Sequence, residues 1–186
     1  MVEMTVDSVR INVESNQRVV ILKDPKSERY LFIWIANPEA YSIALELQGA
    51  TAQRPLTHDL LKSVIVELGG KLTSIIINDL IDDIFYARLV LDASGRHVEI
   101  DSRSSDAIAL AVRLKVNIYV EESVLERAGV QLQAAEEREE RAPRERSSAA
   151  SSSAGGASAS GASLNLDVYR DFINGLESLD EFGKSD

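Results

Sequence analysis

A repeat limits this chain more than any single motif does. Laid over itself at an offset of 67 residues without a gap, the sequence sets Leu22 on Leu89, Ser27 on Ser94, Arg29 on Arg96, Ile33 on Ile100, Ala40 on Ala107, Ala44 on Ala111 and Leu47 on Leu114. These identities fall at turn and core positions, which points to an internally duplicated βββα unit. One such unit leaves an apolar sheet face uncovered. Two packed together make one α+β domain around a largely antiparallel sheet.

The local pattern supplies the elements. Apolar residues alternate through Val2, Met4 and Val6, then Val9, Ile11 and Val13, and the phase slips at Asp7-Ser8, as a bulged strand requires. Val19–Leu22 and Tyr30–Ile35 are β-branched or aromatic and flank the turn residues Asp24-Pro25-Lys26-Ser27, so they form a hairpin. Asn37-Pro38-Glu39 reads as an N-cap followed by proline at the first helical position, and Gly49 ends the helix. The second copy has a strand over Leu72–Asn78, a hairpin of Phe85–Leu91 with Val98–Ile100, and a helix from Ser104. Phe32, Trp34 and Phe85 are assigned to the core. Ile118–Val120 reads as a last short strand and Glu122–Ala128 as a helix stopped by Gly129.

Between the copies lies Arg54-Pro55-Leu56-Thr57-His58-Asp59-Leu60-Leu61, the start of a helix that runs to about Leu68 and stops at Gly69-Gly70. Thr57 has the side chain of a cap, and Asp59 suits the positive end of the helix dipole. One of only two histidines stands here, beside a carboxylate and four residues after an arginine. Such a helix start can bind and polarise a phosphate. The copies differ where chemistry would sit: Trp34, Ala36 and Glu39 of the first are replaced by Asp101, Arg103 and Asp106 in the second. This contrast predicts that the first copy packs and the second carries a site.

Composition narrows the function classes. The absence of cysteine excludes disulfides, thiolate catalysis and sulfur-bound zinc, and Met1–Thr5 lacks the pattern of a signal peptide. No apolar run is long enough to span a membrane, so a soluble cytoplasmic protein is expected. Net charge is −10, and a division after Val130 gives 14 basic against 19 acidic residues before it and 6 against 11 after it, or −5 in each part. That balance argues against broad, sequence-independent phosphate binding. It leaves room for a local patch drawn from Arg54, Arg88, Arg96, Arg103 and Arg113. Residues 131–146 are dense in charge and 147–163 are wholly Ser, Ala and Gly, so 131–163 is expected to be a flexible linker. Within 164–186, Leu166, Tyr169, Phe172, Ile173, Leu176 and Leu179 recur at the spacing of a short amphipathic helix, tethered to the domain of residues 1–130.

Three ordered stretches, Arg54-Pro55-Leu56-Thr57-His58-Asp59-Leu60, Ile77-Asn78-Asp79-Leu80 with Phe85-Tyr86-Ala87-Arg88-Leu89, and Ser105-Asp106-Ala107-Ile108-Ala109-Leu110-Ala111, resemble the bifunctional nuclease domain family. The likeness covers about residues 1–130, and Tyr169-Arg170-Asp171-Phe172 through Asp180-Glu181-Phe182 is similar to a C-terminal segment of some bacterial members. Arg103-Ser104-Ser105-Asp106 stands where the family commonly has Arg-Pro-Ser-Asp, and Asp82-Asp83-Ile84 where it has a glycine. Asp82 and Asp83 read as a solvated turn.

The resemblance implies hydrolysis of DNA and RNA phosphodiester bonds. Residue chemistry then assigns His58 as general acid or base, Arg103 with Arg54 and Arg88 as phosphate ligands, and Asp59, Asp101 or Asp106 as carboxylates for Mg2+ or Mn2+. The rival reading is a non-catalytic, oligomeric regulatory module in which the same helix start holds an anion or a partner carboxylate. Sheet edges left by two packed units predict a homodimer.

Overall fold

In the computed structural model, which describes residues 1–12 and 16–131, eight strands form one sheet with four helices. The expected linker and C-terminal helix lie outside the described residues. In chain order the elements are β1 Val2–Ile11, β2 Arg18–Lys23, β3 Arg29–Ile35, α1 Asn37–Leu47, α2 Thr57–Glu67, β4 Gly70–Ile81, β5 Ile84–Ala93, β6 Arg96–Arg103, α3 Ser104–Leu114, β7 Asn117–Val120, α4 Glu122–Ala128 and β8 Gly129–Gln131.

The sheet order is β6-β5-β4-β7-β1-β2-β3-β8. It consists of two three-stranded antiparallel meanders, each followed in sequence by a helix, and β7 lies between them. Every pairing is antiparallel except that of β7 with β4, where Ile75 stands opposite Ile118. On its other side Ile118 faces Met4 of β1. Ile118 is buried between the two meanders, so four residues of strand weld them into one sheet.

Alternation explains which residues reach the core. Val20 and Leu22 of β2, Leu31 and Ile33 of β3, Ile75 and Ile77 of β4, and Ala87, Leu89 and Leu91 of β5 join one buried cluster with Ile43 of α1 and Ala107–Ala111 of α3. The alanines at 107, 109 and 111 are fully buried. Their small side chains let α3 lie close to both the sheet and α1. The phase slip read at Asp7-Ser8 is a register shift between Val6 and Ser8 in the β1–β2 ladder. Asp24 in the first hairpin turn accepts from the Lys26 N–H at 2.9 Å and the Ser27 hydroxyl at 2.6 Å.

Several local readings are corrected. Residue 36, not Asn37, is the N-cap of α1, and the Asn37 carboxamide oxygen instead accepts from the Arg18 guanidinium. Leu56, not Thr57, precedes α2, and its N–H donates to Asp59 Oδ2 at 2.8 Å, so the carboxylate three residues on closes the helix start. Gly129 does not merely stop α4: it opens β8, whose three residues pair with β3. Trp34 is 41% exposed and so is not a core residue, whereas Phe85 packs against the cluster.

Candidate functional site

The first half of α1 and the first turns of α2 and α3 converge, and a continuous chain of hydrogen bonds connects them. Ser42 of α1 and Asp106 of α3 bracket His58 of α2: Ser42 Oγ lies 2.9 Å from Nδ1 and Asp106 Oδ1 3.0 Å from Nε2. A carboxylate only accepts, so Nε2 carries the proton toward Asp106. In the neutral ring Nδ1 then accepts from the Ser42 hydroxyl. His58 is 8% exposed, and it is the sole buried residue of its helix.

Asp106 is held on its other side by Arg103. The guanidinium donates through Nε to Oδ2 at 2.7 Å and through Nη2 to Oδ1 at 3.0 Å, a forked pair. The same Nη2 donates to Glu39 Oε1 at 2.6 Å. Arg103 therefore bridges the carboxylates of α1 and α3, and its side chain remains 66% exposed. Nη1 makes no hydrogen bond among the described residues. Glu39 is nearly buried, and its Oε2 also lacks a partner among them, so it can accept one more hydrogen bond.

Beneath this chain lies a second arginine, and this one is buried. Arg113, 4% exposed, donates to Asp59 Oδ1 at 2.7 Å, to the Ala109 carbonyl at 3.0 Å and to the Ser42 carbonyl at 3.1 Å. It ties the middle of α1 and the start of α2 to α3 and so fixes Ser42 and His58 relative to Asp106. Lys62, one turn along α2, donates to the Arg113 carbonyl at 3.2 Å.

The charges are shaped by these contacts. Burial pushes the Asp106 carboxyl up, but hydrogen bonds from Arg103 and His58 outweigh it and hold the group below the ordinary value of 3.8. Burial likewise pushes Asp59 up, and Arg113 with the Leu56 N–H brings it below the same value. Asp106 and then Glu39 raise the Arg103 guanidinium well above its ordinary range, so its charge is permanent. In outline, the site is a fixed cation at the surface, backed by an ionised carboxylate and a buried imidazole.

A sequence model of the bifunctional nuclease domain matches residues 20–133. The chain belongs to the bifunctional nuclease domain family. An uncharacterized protein of Mycobacterium tuberculosis strain H37Rv is 45% identical over 130 residues, which are 70% of this chain and 77% of that protein. Bifunctional nuclease 2 of Oryza sativa subsp. japonica is 30% identical over 115 residues, 60% of this chain and 35% of that protein. Bifunctional nuclease 1 of Oryza sativa subsp. indica is 25% identical over 135 residues, 64% of this chain and 41% of that one.

Within this family domain, the structure gathers four residues read from the sequence, His58, Asp59, Arg103 and Asp106, around one junction of three helices. The others stand apart from their hydrogen bonds. Arg88 pairs with Glu99 at 2.9 Å on the β5–β6 hairpin, and Asp101 lies opposite it across the strands. Arg54 is exposed and makes no hydrogen bond or ion pair among the described residues. Arg113 is no surface patch residue, because its guanidinium is committed inside the protein. Among the described residues, no three His, Asp or Glu side chains come together around one point, and both oxygens of Asp106 already accept hydrogen bonds. Glu39 and Ser42 were not read as site residues, and Arg113 was read only as part of a surface patch. The contrast between copies had given Glu39 to packing, yet it is the residue 67 positions before Asp106 and binds the same arginine.

Among the described residues, no helix is long and apolar enough to cross a membrane.

Proposed function

We propose that this chain is a nuclease that hydrolyses phosphodiester bonds of DNA and RNA, with the phosphate received by Arg103. The observation that carries this reading is the exposed guanidinium held by two carboxylates, with Nη1 free of protein partners among the described residues. A planar, permanently charged fork that is already oriented loses little freedom on meeting a phosphate. Arg54 and Arg88 are proposed as further phosphate contacts, away from the hydrogen-bonded chain. The reading is supported by membership of a nuclease-named family and by the names of the rice relatives.

His58 is the proposed general acid or base. It is buried, so its proton would pass by way of Asp106, the partner that opens toward solvent with 27% of its side chain exposed. The mechanism runs through side chains alone. Mg2+ or Mn2+ on Asp101 and Asp106 is kept as a separate proposal with its own experimental arm. The internal duplication is proposed as well, supported by the bounds of α1 and α3, which lie 67 residues apart at both ends.

A second reading is favoured by one observation: both ring nitrogens of His58 are occupied inside the protein. In that reading the junction is a non-catalytic anion site. The test is cleavage of plasmid DNA and of a single-stranded RNA by the purified chain, with Mg2+, with Mn2+ and in excess chelator. Metal-dependent cleavage lost in Arg103→Ala supports the nuclease and its ion. Cleavage that persists in chelator removes the ion. No cleavage under any condition, with nucleotide phosphate still bound through Arg103, supports the second reading.

A further inference from the structure

Helix α2 buries little of its own apolar surface against the rest of the domain. Of its 11 residues only His58 is buried, and Ile65 alone among its apolar side chains packs against the core. Leu60, Leu61 and Val64, with Leu68 just after the helix, follow at intervals of one, three and four residues and so line one stripe. Leu60 is 59% exposed, Val64 42% and Leu68 81%. The stripe presents on the order of 400 Å2 of apolar surface, the size of the largest exposed patch on a typical monomer, and such patches are often functional.

We infer that this stripe is the centre of a homodimer interface, in which α2 packs antiparallel against α2 of a second copy around a twofold axis near Val64. A standard interface takes roughly 800 Å2 from each partner with a little over half of it apolar, which an apolar stripe of this size and its polar margins would fill. The stripe carries no charge, so it meets its own copy without leaving an ion buried. Its ends are complementary. Arg54 lies before the helix and Glu67 at its last residue, and neither has an ion pair among the described residues. Antiparallel packing brings each copy's Arg54 toward Glu67 of the second copy and opposes the two helix dipoles.

Other surfaces and partners fit less well. The edge strand β6 carries Arg96, His97, Glu99, Asp101 and Arg103, charges that discourage strand pairing, and the opposite edge β8 is only three residues long. Nucleic acid would need donors that the stripe lacks. An anionic lipid surface would meet a domain of net charge −5 through a helix whose one lysine, Lys62, donates to Arg113. His58 and Asp59 occupy the inner side of the same helix, so dimerisation would press the candidate site together from outside.

Sedimentation equilibrium of the full chain tests this. The expected mass is twice 20.4 kDa, and Leu60→Asp with Val64→Asp should give a monomer with unchanged far-UV circular dichroism, because both side chains are exposed. The chain has no cysteine, so a single introduced one reports contact without interference. Val64→Cys should oxidise to a covalent dimer, whereas Val66→Cys, exposed on the other side of the helix, should not. A monomer at about 100 µM, the result if another protein or this chain's own 164–186 segment covers the stripe, would overturn the inference. So would a trimer, a dimer indifferent to the paired aspartates, or equal cross-linking at 64 and 66.

Discussion

At the scale of single residues, the candidate site depends on two arginines with opposite exposures. Arg113 is buried and fully bonded, so Arg113→Met should cost about 2–4 kcal/mol in urea unfolding by stranding the Ser42 carbonyl and the Asp59 carboxylate. Arg113→Lys should recover only part of this, because one ammonium cannot reach three acceptors in a fork. His58 separates catalysis from packing. If proton transfer passes through it, His58→Gln should fold and bind nucleotide phosphate yet cleave on the order of a hundredfold more slowly, as loss of a general acid or base typically does. Cleavage by folded His58→Gln at the parent rate would return the residue to its structural role. The carboxylates give a pH dependence of definite sign. Asp59 and Asp106 lie below 3.8 when folded, so between those values and 3.8 the unfolded chain binds more protons. The stability they contribute is complete above about pH 5 and is lost as pH falls below 3.8, and Asp59→Asn with Asp106→Asn should flatten the acid limb of a stability profile.

Elements show how local backbone chemistry was readable and where it was strained. The β4–β5 turn places both Asp82 and Asp83 at positive φ, 49° and 61°, and Ile81 faces Ile84 across it. This is the backbone of a two-residue hairpin turn whose second position favours glycine. Asp83→Gly should raise stability by about 0.5–1 kcal/mol, seen as a rise of a few degrees in the thermal midpoint, since aspartate tolerates this region less well than glycine. An unchanged or lower midpoint would show that the surrounding ladder already relieves the strain. The same turn was legible as solvated from its two aspartates. Helix starts were legible only to within a residue: Asn37 and Thr57 have capping side chains, yet Arg18 claims the first and Asp59 closes the second helix from inside.

For the whole molecule, electrostatics sets an expectation about substrate binding. Residues 1–130 carry −5, and the outward cations of the candidate site are few. If two or three phosphates are contacted, the logarithm of nucleic-acid affinity should fall against that of salt with a slope of about −2 to −3. A slope of about −6 or steeper would require a basic surface that the described residues do not form. The alternating and helical periods of residues 2–128 determined the element order by themselves, because periodicity records which face each residue must bury. They also marked His58, Asp59, Arg103 and Asp106, as charged groups at helix starts are chemically conspicuous. The tertiary structure alone decided that β7 enters between the meanders, since a four-residue strand has no pattern that names its neighbours. It alone brought Glu39, Ser42 and Arg113 to the same junction, because residues distant in sequence meet only when α1, α2 and α3 pack. The outward stripe of α2 was hidden for a related reason: a helical period shows that one side is apolar, and only packing shows whether the protein itself covers that side.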